Sequence, residues 1–232
     1  MQFSNSWRAS GVVALCLLNS GVSPCGVLRA QDSSAAPAPT SPASEQSLFN
    51  GKDFGDWKQS EFGGSGEVYI EDGLVLVDQG EELSGFHWTQ SFPVVNYEFE
   101  VQAQRRSGLD FFCGLTFPVV SKHVSLILGG WGGATCGVSS INGLDDSKNE
   151  TTFQRNFSDR RWYTVRVRVE ADRLRAWLDG ERIVDLDTRG KALDLRAGEI
   201  EGSKPLGLAT FRTGAAFRGM KLRQFSAAER TP

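Results

Sequence analysis

The chain has 232 residues, a formal net charge of −3 and 40% hydrophobic residues. No stretch is dense in lysine or arginine, which argues against a surface that follows a nucleic-acid phosphate backbone. After the N-terminal segments described next, about 180 residues remain. That length is enough for one buried core and too short for two ordinary domains.

The first 30 residues have the layout of a secretory signal peptide. Arg8 precedes an uninterrupted apolar run over residues 11–18 (GVVALCLL), and a small residue, Ala30, closes the segment. This order of charge, apolar run and small residue is typical of export signals. The run is far shorter than the roughly 20 residues that span a bilayer, so we expect no transmembrane span. We predict a secreted or periplasmic protein, with an unprocessed amphipathic tail as the alternative.

Residues 31–47 (QDSSAAPAPTSPASEQS) consist mostly of alanine, serine and proline. Such a composition offers almost nothing to bury, so we predict a disordered linker. The β-sandwich domain is expected over residues 48–226, followed by a C-terminal tail over residues 227–232.

The domain follows a period of two rather than 3.6. Apolar and polar residues alternate over 97–104 and again over 163–170, which is typical of strands with one buried face. Asp179-Gly180 is a hairpin signal, and Gly219 interrupts an alternating run as a β-bulge would. Further β-like runs lie at 67–70, 74–77, 86–88, 111–117, 124–128, 174–178, 183–186, 206–211 and 220–225. The pattern predicts an all-β jelly-roll sandwich of two antiparallel sheets.

Two cysteines, Cys113 and Cys136, lie in the predicted domain. An oxidising compartment would permit a disulfide between them. In a meander of three strands, however, the middle strand separates the outer two by about 9.6 Å. That distance exceeds the Cα separation of about 7 Å that a disulfide tolerates. We therefore favour two free buried thiols over a disulfide.

The most unusual segment is the glycine block at residues 129–133 (GGWGG), which surrounds one tryptophan. Glycines let the backbone approach a ligand closely, and an exposed indole stacks on the apolar face of a sugar ring. The alternative is a β-turn whose tryptophan folds back over the core. The ligand-binding candidates in this region are Trp131, Gly130, Gly132, Ser140 and Asn149.

Carboxylates near this block are candidates for catalysis. Asp110 opens an otherwise apolar run, and Glu150 and Asp146 are possible second acids. Acid–base cleavage of a glycosidic bond needs two carboxyl groups about 5 to 9.5 Å apart. The alternative for Asp110 is a solvated carboxylate at a strand end.

The loop at residues 145–150 is rich in oxygen ligands. Asp145 and Asp146, followed by Asn149 and Glu150, could hold a divalent metal such as Ca²⁺. The spacing is not that of an EF-hand, and a solvated turn is the alternative.

Three stretches carry a family resemblance. They are 48–57 (LFNGKDFGDW), 161–169 (RWYTVRVRV) with 177–180 (WLDG), and 205–210 (PLGLAT). Together they resemble the 3-keto-disaccharide hydrolase-like family, formerly a domain of unknown function, over Leu48 to Phe225.

The resemblance implies a concanavalin A-like lectin/glucanase fold, a carbohydrate ligand and cleavage of 3-keto-glycosides. The ketone of such substrates acidifies the neighbouring C–H, so elimination and then hydration can replace direct displacement. Such a reaction would need a base and an oxyanion stabiliser, for which a metal is one candidate. Residues 124–131 (VSLILGGW) depart from the Glu-x-Gln-Ile-like pattern of the family. Only Asp110 is therefore carried over, as an acid or a ligand.

The sequence thus favours an exported carbohydrate-active domain, as a hydrolase or lyase of 3-keto-glycosides. A non-catalytic, lectin-like sugar-binding domain and an envelope interaction module are the alternatives. The sugar, the linkage and the oligomeric state stay open.

Overall fold

The computed structural model describes residues 44–226 and Glu229. The predicted signal peptide (1–30), the predicted linker up to residue 43 and most of the predicted tail lie outside the described residues. The described part forms two antiparallel sheets with almost no helix, so the predicted jelly-roll sandwich is confirmed. Within it, no helix is long and apolar enough to cross a membrane.

Eight strands form the first sheet, sheet A. They are β1 (Ser44–Ser47), β3 (Val68–Glu71), β4 (Leu74–Val77), β6 (Tyr97–Gly108), β11 (Tyr163–Val169), β12 (Arg173–Leu178), β13 (Glu181–Asp187) and β15 (Thr213–Gln224). Their order across the sheet is β13-β12-β11-β6-β15-β4-β3, and β1 pairs with β15.

Seven strands form the second sheet, sheet B. They are β2 (Trp57–Gln59), β5 (Leu83–Trp88), β7 (Cys113–Val119), β8 (Lys122–Gly129), β9 (Thr135–Ser139), β10 (Phe153–Gln154) and β14 (Gly207–Phe211). Their order is β10-β9-β8-β7-β14-β5-β2. Between the strands lie a tight turn at Gly130–Gly133 and a 3-10 turn at Glu199–Ser203.

The core lies between the two sheets. Tyr97, Phe99 and Val101 of β6 are fully buried, as the alternating pattern predicts. Phe86 of sheet B meets Phe217 of sheet A edge-on, with ring centroids 5.6 Å apart. Burial of such rings is the main favourable term in this fold.

The N-terminal boundary of the domain differs from the prediction. Residues 44–47 belong to strand β1 rather than to the linker, and they pair with residues 221–224 of β15. Backbone hydrogen bonds to a strand edge require no apolar side chains, so a hydropathy pattern does not reveal such a strand. The predicted bulge at Gly219 is confirmed: its φ is +64°, and the pairing register shifts between Arg218 and Lys221.

The outer face of sheet A carries a cluster of ion pairs. Arg168 donates to Glu170 at 2.8 Å and to Glu98 at 3.1 Å, and Arg175 donates to Glu170 at 3.0 Å. These four side chains are buried. These side chains thus bond mainly to one another, whereas Arg175 Nε has no hydrogen-bond partner among the described residues.

The outer face of sheet B, in contrast, carries a row of small residues. Gly85, Ala209, Gly114, Ile127 and Gly137 are register partners across five neighbouring strands. Four of the five have no side chain beyond a methyl group. The row therefore leaves space on the sheet surface, and the candidate site lies there.

The two cysteines occupy one register row of sheet B. Leu128 of β8 pairs with Cys113 of β7 on one side and with Cys136 of β9 on the other. Both thiols are free and fully buried. Burial raises the pKa of each thiol to about 12. The prediction of free thiols rather than a disulfide is thereby confirmed.

Because only the thiolate reacts readily, both cysteines should resist alkylation in the native protein. We expect iodoacetamide to label Cys113 and Cys136 only after denaturation, and equally with and without a reductant, as measured by mass spectrometry of the peptides that contain them. Labelling that required the reductant would show a disulfide and contradict the structure.

Candidate functional site

The glycine block forms a left-handed turn that presents an indole. Strand β8 ends at Gly129 with φ 80°, and Trp131 and Gly132 follow with φ 53° and 90°. Glycine adopts positive φ at no steric cost, whereas tryptophan rarely does. The turn holds the Trp131 side chain 55% exposed. The alternative, a tryptophan folded over the core, is therefore not what the structure shows.

Asp110 fastens this turn to the sheet. Its Oδ2 accepts a hydrogen bond from the Gly132 N–H at 3.3 Å, and its Oδ1 accepts one from the Phe111 N–H at 2.8 Å. Its own N–H donates to the Thr213 hydroxyl at 3.0 Å. Each carboxylate oxygen thus already serves a backbone amide. The geometry suits a residue that positions Trp131 better than one that moves protons.

A single cavity of about 440 Å³ lies beside this turn, within the size range of small-molecule sites. Its lining includes four candidate residues, namely Asp110, Trp131, Gly130 and Asp146. The remaining lining residues are Glu82, Leu83, Phe111, Ser125, Ile127, Ser139, Arg196, Ala197, Gly198, Glu199, Ile200 and Phe211.

Asp146 is the most unusual group in this cavity. It is only 4% exposed, and its Oδ2 accepts no hydrogen bond from any described residue. The side chain reaches the cavity because its backbone lies directly on Gly137, where a Cβ would come within 2.6 Å of the Asp146 carbonyl oxygen. A buried carboxylate without a partner costs free energy, which points to a role other than stability.

The surroundings of Asp146 shift its pKa toward neutral pH. Burial raises the pKa of Asp146 from 3.8 to about 6, and the neighbouring charge of Asp145 adds to the effect. Its own backbone N–H, the Trp131 indole and the Arg196 charge act in the opposite direction but do not cancel it. A carboxyl with a pKa of about 6 can both accept and donate a proton near neutral pH.

Hydroxyl groups from sheet B complete this end of the cavity. The Ser139 side chain is buried, and its Oγ has no hydrogen-bond partner among the described residues. The Ser125 hydroxyl is instead bonded to Thr116 at 2.8 Å. The Arg196 side chain also lines the cavity, and its guanidinium carbon lies 5.7 Å from the centre of the Trp131 ring.

Glu150, the second predicted acid, does not belong to this cavity. Its Oε1 accepts a hydrogen bond from the Lys191 ammonium at 2.7 Å, and both residues line a different depression. The predicted pairing of Asp110 with Glu150 across one substrate is therefore not formed. Asp146 is the carboxylate that shares the cavity with Asp110.

The other predicted ligand-binding residues have structural contacts. Asn149 donates to the carbonyls of Val138 and Asp145, both at 2.7 Å, and so ties its loop to β9. Ser140 is buried beside Asp194, and its neighbour Ser139 faces the cavity instead. Gly132 donates its N–H to Asp110 and does not line the cavity.

The predicted metal site does not assemble from the loop at 145–150. Asp145 Oδ1 accepts hydrogen bonds from the Ser147 N–H and hydroxyl, whereas Asp146 points toward the cavity. Among the described residues, no three histidine, cysteine, aspartate or glutamate side chains are grouped as metal ligands. The described residues of this loop thus do not fit a metal.

The sequence did not reveal the apolar and cationic walls of the cavity. Phe111 and Phe211 look like ordinary core residues in an alternating pattern, but both face outward here. Arg196 lies far along the chain in a segment without periodicity. One usable signal was the serine pair at 139–140, which ends an otherwise small and apolar strand.

Several solved structures have a similar fold. A protein of unknown function with a galectin-like fold from Bacillus subtilis is 12% identical, with a TM-score of 0.53 over 80% of this chain and 97% of that one. A proposed glycosyl hydrolase from Parabacteroides distasonis is 14% identical, with a TM-score of 0.52 over 78% and 94%. SCLam, a non-specific endo-β-1,3(4)-glucanase of family GH16, is 10% identical, with a TM-score of 0.51 over 79% and 90%. At these identities the likeness establishes the fold alone.

A comparison with curated proteins finds no match. A family profile, however, matches residues 44–223, which is almost the whole described domain. The family resemblance seen in the sequence is thereby confirmed. The chain belongs to the carbohydrate-active family of 3-keto-alpha-glucoside-1,2-lyase-like domains.

Proposed function

We propose that the cavity binds the sugar ring of a 3-keto-glycoside and that Asp146 removes the proton from C2 of that ring. The observation that carries the proposal is the buried Asp146 carboxylate, which has an unpartnered oxygen and a pKa of about 6. It lies in the same cavity as an exposed indole. The family description, a 1,2-lyase-like domain, is consistent with this chemistry.

The reaction is an elimination across C1 and C2. The Asp146 carboxylate takes the C2 proton, which the ketone at C3 acidifies, and the C–H electron pair becomes the C1=C2 double bond. The bond between C1 and the glycosidic oxygen breaks, and the leaving oxygen keeps its electron pair and takes a proton from water. Addition of water to the double bond then gives the overall hydrolysis product.

Other residues of the cavity have supporting roles in this proposal. The Ser139 hydroxyl can donate to the C3 oxygen as negative charge develops there, because it has no acceptor among the described residues. The exposed face of Trp131 can stack on the apolar face of the ring. Arg196 adds a positive charge beside Trp131, which favours the negatively charged transition state.

Sugar binding without turnover is the second candidate function. It is favoured by the exposed Trp131, which would serve a lectin-like site equally well. The two candidates differ in one measurement, since only the first predicts consumption of a 3-keto-glycoside such as 3-keto-trehalose.

Replacing the proposed base tests the first candidate directly. We expect Asp146→Asn to lower kcat on 3-keto-trehalose by about 10²- to 10⁴-fold, the usual contribution of a general base. In the wild type, kcat/KM should rise as the pH increases through about 6, because the carboxylate must be ionised to accept the proton. Glu150→Gln is the matched control, since Glu150 lies outside the cavity.

The same variant should also be more stable than the wild type at neutral pH. Folding raises the pKa of Asp146, so its stabilising contribution is greatest at low pH and is lost as the pH rises through about 6. We therefore expect the Tm of Asp146→Asn to exceed that of the wild type at pH 7.5 but not at pH 4. An inactive variant with lowered stability at both values would indicate damage to the fold instead.

The role of Trp131 is tested by sugar binding. We expect Trp131→Ala to weaken binding of methyl glucoside about tenfold in isothermal titration calorimetry, or about 1.4 kcal/mol, because the stacking surface is lost. The Tm should change little, since the side chain is largely exposed. Trp131→Phe keeps an aromatic face and should retain part of the affinity, whereas unchanged affinity in the alanine variant would remove the indole from the site.

We also propose that the domain acts outside the cytoplasm, as a secreted or periplasmic protein. The support is the layout of residues 1–30, with an apolar run ahead of a small residue. N-terminal sequencing of the protein from its native host should give a mature chain that begins near Gln31. A chain retained in the cytoplasm with Met1 intact would contradict export.

A further inference from the structure

The cavity has two chemically different ends. Ser139 of β9 and the Asp146 side chain mark one end, where the unpartnered polar atoms are. Phe211 of β14 and Leu83 of β5 mark the other, and they are register partners. Strands β9 and β14 are three positions apart in sheet B, which corresponds to about 14 Å. This length exceeds one pyranose ring, so the second end is available for the group attached at C1.

An aromatic surface dominates this second end. The rings of Phe111 and Phe211 are stacked, with centroids 5.9 Å apart and an interplanar angle of 26°. Phe111 is held flat against the sheet because Gly114 beneath it has no side chain; a Cβ there would come within 2.9 Å of the ring. Leu83 and Ile200 extend the apolar wall on either side.

The charged groups at this end are already engaged. Both carboxylate oxygens of Glu199 accept from the Gly63 N–H, at 3.1 and 3.2 Å. Glu82 lies 3.6 Å from a guanidinium nitrogen of Arg212. Arg212 also lies over the Phe211 ring, with its guanidinium carbon 5.2 Å from the ring centre. A second sugar here would leave several hydroxyls without partners, which is unfavourable.

We propose that this end is an aglycone subsite for a planar aromatic group, so that the preferred substrates are 3-keto-glycosides of phenols. The inference rests on the proposed function, since it takes the ring at the Asp146 end to be the sugar. Stacking of a phenyl ring on Phe111 and Phe211 buries apolar surface at a site that is already shaped for it.

The leaving group is consistent with this assignment. A phenol has a pKa of about 10, as tyrosine does, so a phenolate departs without a strong acid to protonate it. A sugar alkoxide is far more basic and needs a general acid. The described cavity provides Asp146 as the base, but both oxygens of Asp110 are bonded to backbone amides, and Glu150 lies elsewhere. A phenolic aglycone can therefore leave without a general acid from the residues that line the cavity.

Dead-end ligands separate binding from leaving-group reactivity. Phenyl glucoside and methyl glucoside lack the ketone, so neither compound can undergo the elimination reaction. Both anomers of each compound are titrated calorimetrically into the full chain. We expect the phenyl compound to bind at least tenfold more tightly than the methyl compound, and more tightly than trehalose. Equal affinities, or tighter binding of trehalose, would overturn the aromatic subsite.

Variants assign the preference to this end of the cavity. We expect Phe211→Gln to abolish the phenyl preference while the affinity for methyl glucoside stays within twofold of wild type. Phe211→Leu keeps an apolar side chain and should keep part of the preference. Leu83→Gln provides the same test if the Phe211 variants do not fold, as judged by thermal unfolding. A phenyl preference that survives every folded variant would overturn the assignment.

The outcomes distinguish this inference from the function on which it rests. If the wild type consumes 3-keto-trehalose but shows no phenyl preference, the proposed function stands and the aromatic subsite is wrong. If no glucoside binds and no 3-keto-glycoside is consumed, both proposals fail together.

Discussion

The candidate site depends on one close contact, that of the Asp146 backbone on Gly137. Any side chain at position 137 would bring a Cβ within 2.6 Å of the Asp146 carbonyl oxygen and push the loop away from sheet B. The glycine at position 137 thus allows a carboxylate to lie in a buried environment, and burial raises its pKa.

The rest of the molecule shows how unusual that carboxylate is. On the outer face of sheet A, the buried charges of Arg168, Glu98 and Glu170 satisfy one another through short hydrogen bonds. In the cavity, Asp146 Oδ2 and Ser139 Oγ have no partner among the described residues. A buried carboxylate oxygen without a partner is unfavourable, so a ligand that donates a hydrogen bond to Asp146 Oδ2 would remove this cost.

Sequence reasoning located the neighbourhood of the site better than its chemistry. The glycine block identified Trp131 as a prominent side chain, and Asp110 was expected close to it; both line the cavity. Glu150 and Asp146 were both possible second acids, because a linear pattern cannot tell which way each residue of a six-residue loop points. The loop turns Asp146 inward and leaves Glu150 beside Lys191. The position of a residue along the chain does not show which way its side chain points.

By itself, the sequence determined the fold and the family. The alternating pattern, the hairpin signals and the bulge at Gly219 indicate a two-sheet sandwich, because side-chain periodicity follows directly from strand geometry. It also determined that Cys113 and Cys136 remain apart, since strand order sets their spacing. The tertiary structure alone decided the contents of the cavity. Phe111, Phe211, Asp146 and Arg196 come from distant parts of the chain, and their convergence depends on loop paths and register, which local residue patterns do not encode.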